Sequence, residues 1–233
     1  MGSDDVVAVV GAGTIGHGIA QVFAMKGYRV NLADISQEAL KRAIERISWS
    51  LGRLASKGEI KEEDARAALE RITTTTDISK AVEDAKLVIE AVYEDIDVKI
   101  DVFRRVDESA PAEAILASNT SGLPITAMAE AVRRPEKVVG MHWFNPPQLM
   151  KLIEVTITKY TDNSVASYVV ELARQLGKMP ILVRKDIRGF VANRVYRAIR
   201  YEAFAMVLRG EYTHVEIDSA LRYKLGLPMG VFE

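Results

Sequence analysis

The sequence predicts an α/β fold: a Rossmann-type doubly wound sheet with a helical-hairpin insertion, followed by part of an all-α C-terminal domain. Two observations carry this expectation. The apolar run Val6–Val10 ends directly in Gly11-Ala12-Gly13-Thr14-Ile15-Gly16, after which Ile15, Ile19, Val22 and Phe23 recur at helical spacing, so the glycines sit where a strand becomes a helix. Short β-prone runs then recur as far as Met179–Val183, and from Asp186 onward strands give way to helices. The expected domains are 1–185, dinucleotide-binding, and 186–233, the start of a helical domain.

Length and composition narrow the function classes. The 233 residues are enough for a substantial core, and 31 Lys plus Arg against 32 Asp plus Glu predict neither a nucleic-acid nor a membrane partner. There is no cysteine, which excludes disulfides, thiolate metal sites and a cysteine nucleophile. No apolar run approaches the ~20 residues that cross a bilayer. The expectation is a cytoplasmic protein with no metal.

Each element has its own signal. In the glycine turn, Gly11 permits the tight bend, Gly13 lets a pyrophosphate approach the backbone, and Gly16 lets helix and strand pack closely. The helix start supplies N–H groups and a positive dipole end for phosphates. Tyr28–Ala33 reads as a second strand, closed by Asp34. A carboxylate there accepts both ribose hydroxyls and repels a 2′-phosphate, so the motif indicates NAD. Ser36–Ala55 and Lys61–Ile72 read as two helices of a hairpin standing off the sheet, an arm over about 36–72 that suits something long. Ser50 and Lys57 are read near its tip, where the lysine can pair with a phosphate, although plain solvated surface is the default reading of both. Leu87–Val92 is a strand followed by Glu94 and, on the next helix, Lys99, both expected at the ligand crevice because loops at parallel strand ends face it. Ile115–Ala117 ends in Ser118-Asn119-Thr120-Ser121. Helix capping is the default role for Ser118 or Asn119, and Ser121 is a candidate hydrogen-bond donor.

Val138 to Thr156 reads VVGMHWFNPPQLMKLIEVT. Val138–Met141 and Leu152–Ile157 read as strands, and Pro146-Pro147 forces a turn between them. Such a turn can bring His142 beside Glu154. A glutamate accepting the imidazole Nδ1–H leaves Nε2 to take a proton, the base-and-orienter half of a triad. A satisfied core histidine and a solvated strand glutamate are the plainer alternative. Ser164–Leu176 reads as a helix ended by Gly177, and Val191–Leu208 as a long helix carrying Asn193. Thr213-His214-Val215-Glu216 reads as a capping box opening a helix over Glu216–Tyr223.

Taken together, these stretches resemble the L-3-hydroxyacyl-CoA dehydrogenase family from about Val6 to Glu233. GAGTIGHGIA is similar to the family's dinucleotide turn, IEAVYEDIDVK to its glutamate–lysine segment, and ASNTSGLPIT to its serine loop. GMHWFNPPQLMKLIEV is similar to its catalytic stretch and DIRGFVANRV to its domain-boundary signature. The resemblance implies NAD-dependent oxidation of L-3-hydroxyacyl-CoA, with His142 as general base, Glu154 as its partner, and Ser121 and Asn193 beside the reacting oxygen. It implies NAD contacts from Asp34, Glu94, Lys99 and Asn145, besides the glycine turn, and coenzyme A contacts from Ser50 and Lys57. Trp143 and Gly122 stand where many members have phenylalanine and serine. The family's helical domain extends past the position of Glu233, which implies that a second copy, or more of a longer polypeptide, covers the Val191–Leu208 helix. A dehydrogenase of a free hydroxy acid and a non-catalytic NAD-binding protein are the rival readings.

Overall fold

The computed structural model describes residues 5–233. Eight strands form one sheet in the order β3-β2-β1-β4-β5-β6-β7-β8. They are β1 (Val6–Val10), β2 (Arg29–Ala33), β3 (Ile72–Thr75), β4 (Ala85–Glu90), β5 (Ile115–Ser118), β6 (Val138–Trp143), β7 (Leu152–Thr156) and β8 (Met179–Val183). β1 to β6 run parallel to one another; β7 pairs antiparallel with β6, and β8 parallel with β7. All five residues of β1 are buried, as are all six of β6, the mark of strands covered on both faces; β1 is apolar throughout. The helices are α1 (Gly16–Met25), α2 (Gln37–Ser56), α3 (Glu62–Glu70), α4 (Ile78–Val82), α5 (Ile96–Ser109), α6 (Ile125–Ala129), α7 (Asn163–Gln175), α8 (Ala192–Leu208) and α9 (His214–Ser219). Among the described residues, no helix is long and apolar enough to cross a membrane.

Caps explain several boundaries. Ser36, Asp77, Asp95 and Asp162 each accept a backbone N–H of the first turn of the helix they precede. The Thr213–Glu216 capping box is present in both directions, but it opens α9 at His214, and a π-helical turn over Ala220–Lys224 continues it. The arm is the expected helical hairpin, and it is braced on α1: Leu40, Ala43, Ile47 and Leu51 of α2 and Ala68 of α3 share one core with Ile19 and Phe23 of α1. The apolar stripe of α2 has a period that needs a partner along its whole inner face, and α1 and α3 supply it.

Two compact units divide the chain, the first ending at Arg188 and the second running from Gly189 to Glu233. The break lies a few residues beyond Lys185 because Asp186 is tied into the first unit. Its Oδ2 accepts both the N–H and the hydroxyl of Thr126 at 2.7 Å. The second unit has a small core of its own, Ala203, Ile217 and Val231, with Asp218 accepting the Val231 N–H at 2.7 Å.

Candidate active site

The glycine turn is built by close approach. Gly11 has φ +107°, and a Cβ there would lie 2.5 Å from the Ala91 carbonyl oxygen. A Cβ on Gly16 would lie 1.7 Å from the Gly11 oxygen, so helix and strand meet at bare backbone. At Gly13 a Cβ would meet nothing within 4 Å. The fold therefore makes no demand at Gly13, and its exposed backbone is open to a ligand laid on the turn. Thr14 is exposed and Ile15 half-buried beside it. Asp34 closes the other side of the turn: its Oδ2 accepts the Ala12 N–H at 2.8 Å and its Oδ1 the Ser36 N–H at 2.9 Å. These bonds fix the carboxylate and leave each oxygen a second lone pair for a ribose hydroxyl. A cavity of about 480 Å³ lies against the turn, bounded by Gly13, Asp34, Ile35, Ile78, Val98 and Arg105, with further side chains completing it. A mainly apolar slot with Asp34 held in place, Asp101 and Arg105 on its wall and an exposed glycine backbone fits the adenosine end of a dinucleotide.

At the ends of β4 and β5 lies a buried polar network. Glu90 Oε1 accepts the Lys99 ammonium at 2.6 Å and the Val92 N–H at 2.8 Å, while Oε2 accepts the Ser118 hydroxyl at 2.6 Å. Lys99 also pairs with Glu94 Oε2 at 3.3 Å. Glu94 Oε1 in turn accepts the Thr120 hydroxyl at 2.5 Å and the Ser121 N–H at 3.1 Å. Burial pushes the Glu90 carboxyl up, against the pull of Lys99, Ser118 and the Val92 N–H. For Glu94 partial burial pushes up too, but Thr120, Lys99 and the Ser121 N–H prevail and hold its carboxyl below the ordinary glutamate value.

Two expectations need correction here. Lys99 does not open onto the crevice: its side chain is 1% exposed and acts from beneath Glu94, because an ammonium this buried is held by the buried Glu90 carboxylate. Ser118 and Asn119 are not helix caps. Ser118 is bound to Glu90, and Asn119 Oδ1 accepts the Trp143 N–H at 2.9 Å, which ties the serine loop to the histidine strand.

His142 and Glu154 face each other in the antiparallel pairing of β6 and β7. His142 Nδ1 donates to Glu154 Oε2 at 2.7 Å. Glu154 is 0% exposed, and the plainer reading of a solvated strand glutamate therefore fails. Phe144 packs its ring 4.5 Å from the imidazole. The strand runs parallel to β5 with Gly140 opposite Ser118, so His142 lies at the same sheet edge as the loop carrying Ser121. Asn145 is exposed in the loop that follows, joined to Pro146 by a cis bond. Ser50 is not at the arm tip: its hydroxyl accepts the Gln21 amide of α1 at 3.0 Å, at the level where α2 crosses that helix. Lys57 caps the C-terminus of α2 at the tip and is exposed. Asn193 lies in the first turn of α8, in the second unit.

Residues 6–187 match the family model for the 3-hydroxyacyl-CoA dehydrogenase NAD-binding domain, and residues 189–233 match the model for the C-terminal domain of the same enzymes. The chain belongs to the 3-hydroxyacyl-CoA dehydrogenase family. It is 38% identical over 232 residues to the mitochondrial hydroxyacyl-coenzyme A dehydrogenase of Sus scrofa, covering 97% of this chain and 74% of the relative. Against a probable 3-hydroxybutyryl-CoA dehydrogenase of Bacillus subtilis the identity is 38% over 224 residues, with coverage of 96% and 77%. The crystal structure of (S)-3-hydroxybutyryl-CoA dehydrogenase from Ralstonia eutropha superposes with a TM-score of 0.94 at 36% identity, covering 98% of this chain and 80% of that one. The doubly wound fold, the NAD-binding domain and the family are thus those the motifs indicated.

Glu90 and Lys178 went unnoticed in the sequence. Glu90 had one signal, a glutamate ending a strand whose other residues are apolar. Lys178 had only its place directly after Gly177 and before a strand.

Proposed function

We propose that this dehydrogenase oxidises L-3-hydroxyacyl-CoA to 3-oxoacyl-CoA with NAD, His142 acting as general base. The observation that carries the proposal is the 2.7 Å bond from His142 Nδ1 to a fully buried Glu154, on the same sheet edge as a turn shaped for a dinucleotide. Bound NAD supplies the hydride acceptor. Asp34 and the Gly11–Gly16 turn hold its adenosine and phosphates; Glu94 and Asn145 hold its other end. Glu154 fixes the imidazole tautomer with the proton on Nδ1, so Nε2 takes the substrate hydroxyl proton as the C3 hydride leaves. The imidazolium that forms is stabilised by the Glu154 carboxylate, in a site too dry for water to do so. Ser121 and Asn193 donate hydrogen bonds to the C3 oxygen. Lys57 pairs with a coenzyme A phosphate, and Ser50 contributes from the arm.

The same reading places the enzyme in the cytoplasm, in fatty-acid β-oxidation or 3-hydroxybutyryl-CoA metabolism, as a homodimer or as part of a longer polypeptide. The test is NADH oxidation with acetoacetyl-CoA compared with free acetoacetate, and with NADPH replacing NADH. Activity confined to the thioester and to NADH is expected. Equal rates with the free acid would favour a hydroxy-acid dehydrogenase. Comparable efficiency with NADPH would remove the role of Asp34, since its carboxylate would face a 2′-phosphate of like charge.

A further inference from the structure

Lys178 is a buried lysine whose partners are two carbonyls and a ring. Its ammonium donates to the Pro147 carbonyl and, at 2.8 Å, to the Met150 carbonyl, and it sits 5.6 Å from the centroid of the Trp143 ring. The residue is 9% exposed. A buried cation is costly unless it is partnered, and two of this ammonium's three donors are used on one loop. Pro147 and Met150 belong to the connection between β6, which carries His142, and β7, which carries Glu154. Trp143 directly follows His142; its indole N–H has no hydrogen-bond partner among the described residues, and the ammonium lies over the ring face.

The lysine is itself held from both sides. Gly177, with φ +80°, ends α7; the Lys178 N–H bonds the Ala173 carbonyl at 3.0 Å, and the next N–H, of Met179, bonds the Lys151 carbonyl at 2.8 Å. The same loop is pressed onto the dinucleotide helix. A Cβ on Gly18 would lie 2.8 Å from Pro147 Cδ and 2.7 Å from Gln148 Oε1.

We propose that Lys178 is a positioning residue: its ammonium latches the loop between β6 and β7 to the Trp143 ring and so sets the pose of the imidazole and of Asn145. The inference rests on the general-base reading of His142. Without the latch the loop keeps its connections through β6 and β7 but loses the brace that joins Pro147, Met150 and Trp143. A displacement of about 1 Å at a reacting group costs on the order of 100-fold in rate, whereas binding of the acyl-CoA body elsewhere is untouched.

The experiment compares wild type with Lys178→Met and Lys178→Arg, each checked for folding by circular dichroism. The expected result for Lys178→Met is a kcat with acetoacetyl-CoA and NADH lowered about 10- to 100-fold, with KM for acetoacetyl-CoA within about threefold. Lys178→Arg, which restores a cation able to serve both carbonyls, recovers at least half of the logarithmic loss. A second readout needs no turnover. The chain has three histidines, and in Lys178→Met the ring-nitrogen resonances of His142 shift while those of His17 and His214 stay. Should the methionine variant not fold, Lys178→Gln takes its place with the same expectations. A kcat within twofold of wild type, or His142 resonances that do not move, overturns the proposal. An inactive wild type would instead count against the proposed reaction, and the resonances would still decide the latch.

Discussion

Replacing Glu154 by glutamine isolates what the buried carboxylate contributes. The amide keeps the volume and can still accept the Nδ1–H through its oxygen, so the 2.7 Å contact of a fully buried residue need not open a cavity. What is lost is the charge that stabilises imidazolium. A hydrogen bond to a charged group contributes ~1.5–3 kcal/mol and a neutral one ~0.5–1.5, a difference of about 1–2 kcal/mol. At about 1.4 kcal/mol per factor of ten, kcat falls roughly 5- to 30-fold. His142→Gln removes the base itself, and its loss is about 10²–10⁴-fold. Because Glu154 acts through His142, the double variant should be no slower than His142→Gln alone. The assay is the initial rate of NADH consumption at saturating acetoacetyl-CoA for all four proteins, with NADH affinity measured separately. Losses that multiply in the double variant, or a Glu154→Gln rate within twofold of wild type, would refute the pairing.

Three other outcomes follow from the geometry. Gly13→Ala should fold normally, since its Cβ meets no protein atom, yet lower NADH affinity at least about tenfold; Gly16→Ala, 1.7 Å from the Gly11 oxygen, should lose stability instead, and equal thermal midpoints in the two variants would contradict this. Lys57→Ala should raise KM for acetoacetyl-CoA about two- to fivefold, the scale of an exposed ion pair of ~0.5–1 kcal/mol, and leave NADH affinity unchanged in a fluorescence titration. Asp107 is buried and clamped by Arg133 and Arg134; burial pushes its carboxyl up, but those arginine bonds hold it below its ordinary value. A depressed carboxyl contributes stability above the unfolded pKa of about 3.9 and loses it as pH falls through the folded pKa, so denaturant midpoints should fall below about pH 4, and Asp107→Asn should flatten that limb while lowering the neutral-pH midpoint.

The parts legible in the sequence are those in which one residue type answers one local demand. Gly11 and Gly16 are required by backbone contacts that no side chain survives, and Asp34 by its place at the end of a strand. Strands such as β1 announce themselves as unbroken apolar runs. His142 and Glu154 were only candidates, because their meeting depends on antiparallel register across a loop, which spacing alone does not fix. Lys99 illustrates the opposite limit. Glutamates lie nine and five residues before it, and only the fold decides that Glu90 encloses it while Glu94 bridges onward to Ser121. Lys178 drew no reading and Ser50 read by default as solvated surface, and their contacts come from long-range partners, Pro147, Met150 and Gln21, that no local pattern announces. The hairpin itself was legible from its two helical segments, but not that α1 lies under it, for the same reason.

The central claim is that His142 is the base of an acyl-CoA dehydrogenase, and one comparison tests it most directly. NADH consumption with acetoacetyl-CoA is measured for wild type and His142→Gln, alongside the NADH dissociation constant of each. The account predicts turnover by wild type, a loss of about 10²-fold or more in the variant, and cofactor affinities within about threefold of each other. A variant that retains wild-type turnover would contradict it, as would one whose lost rate is matched by an equal loss of cofactor affinity.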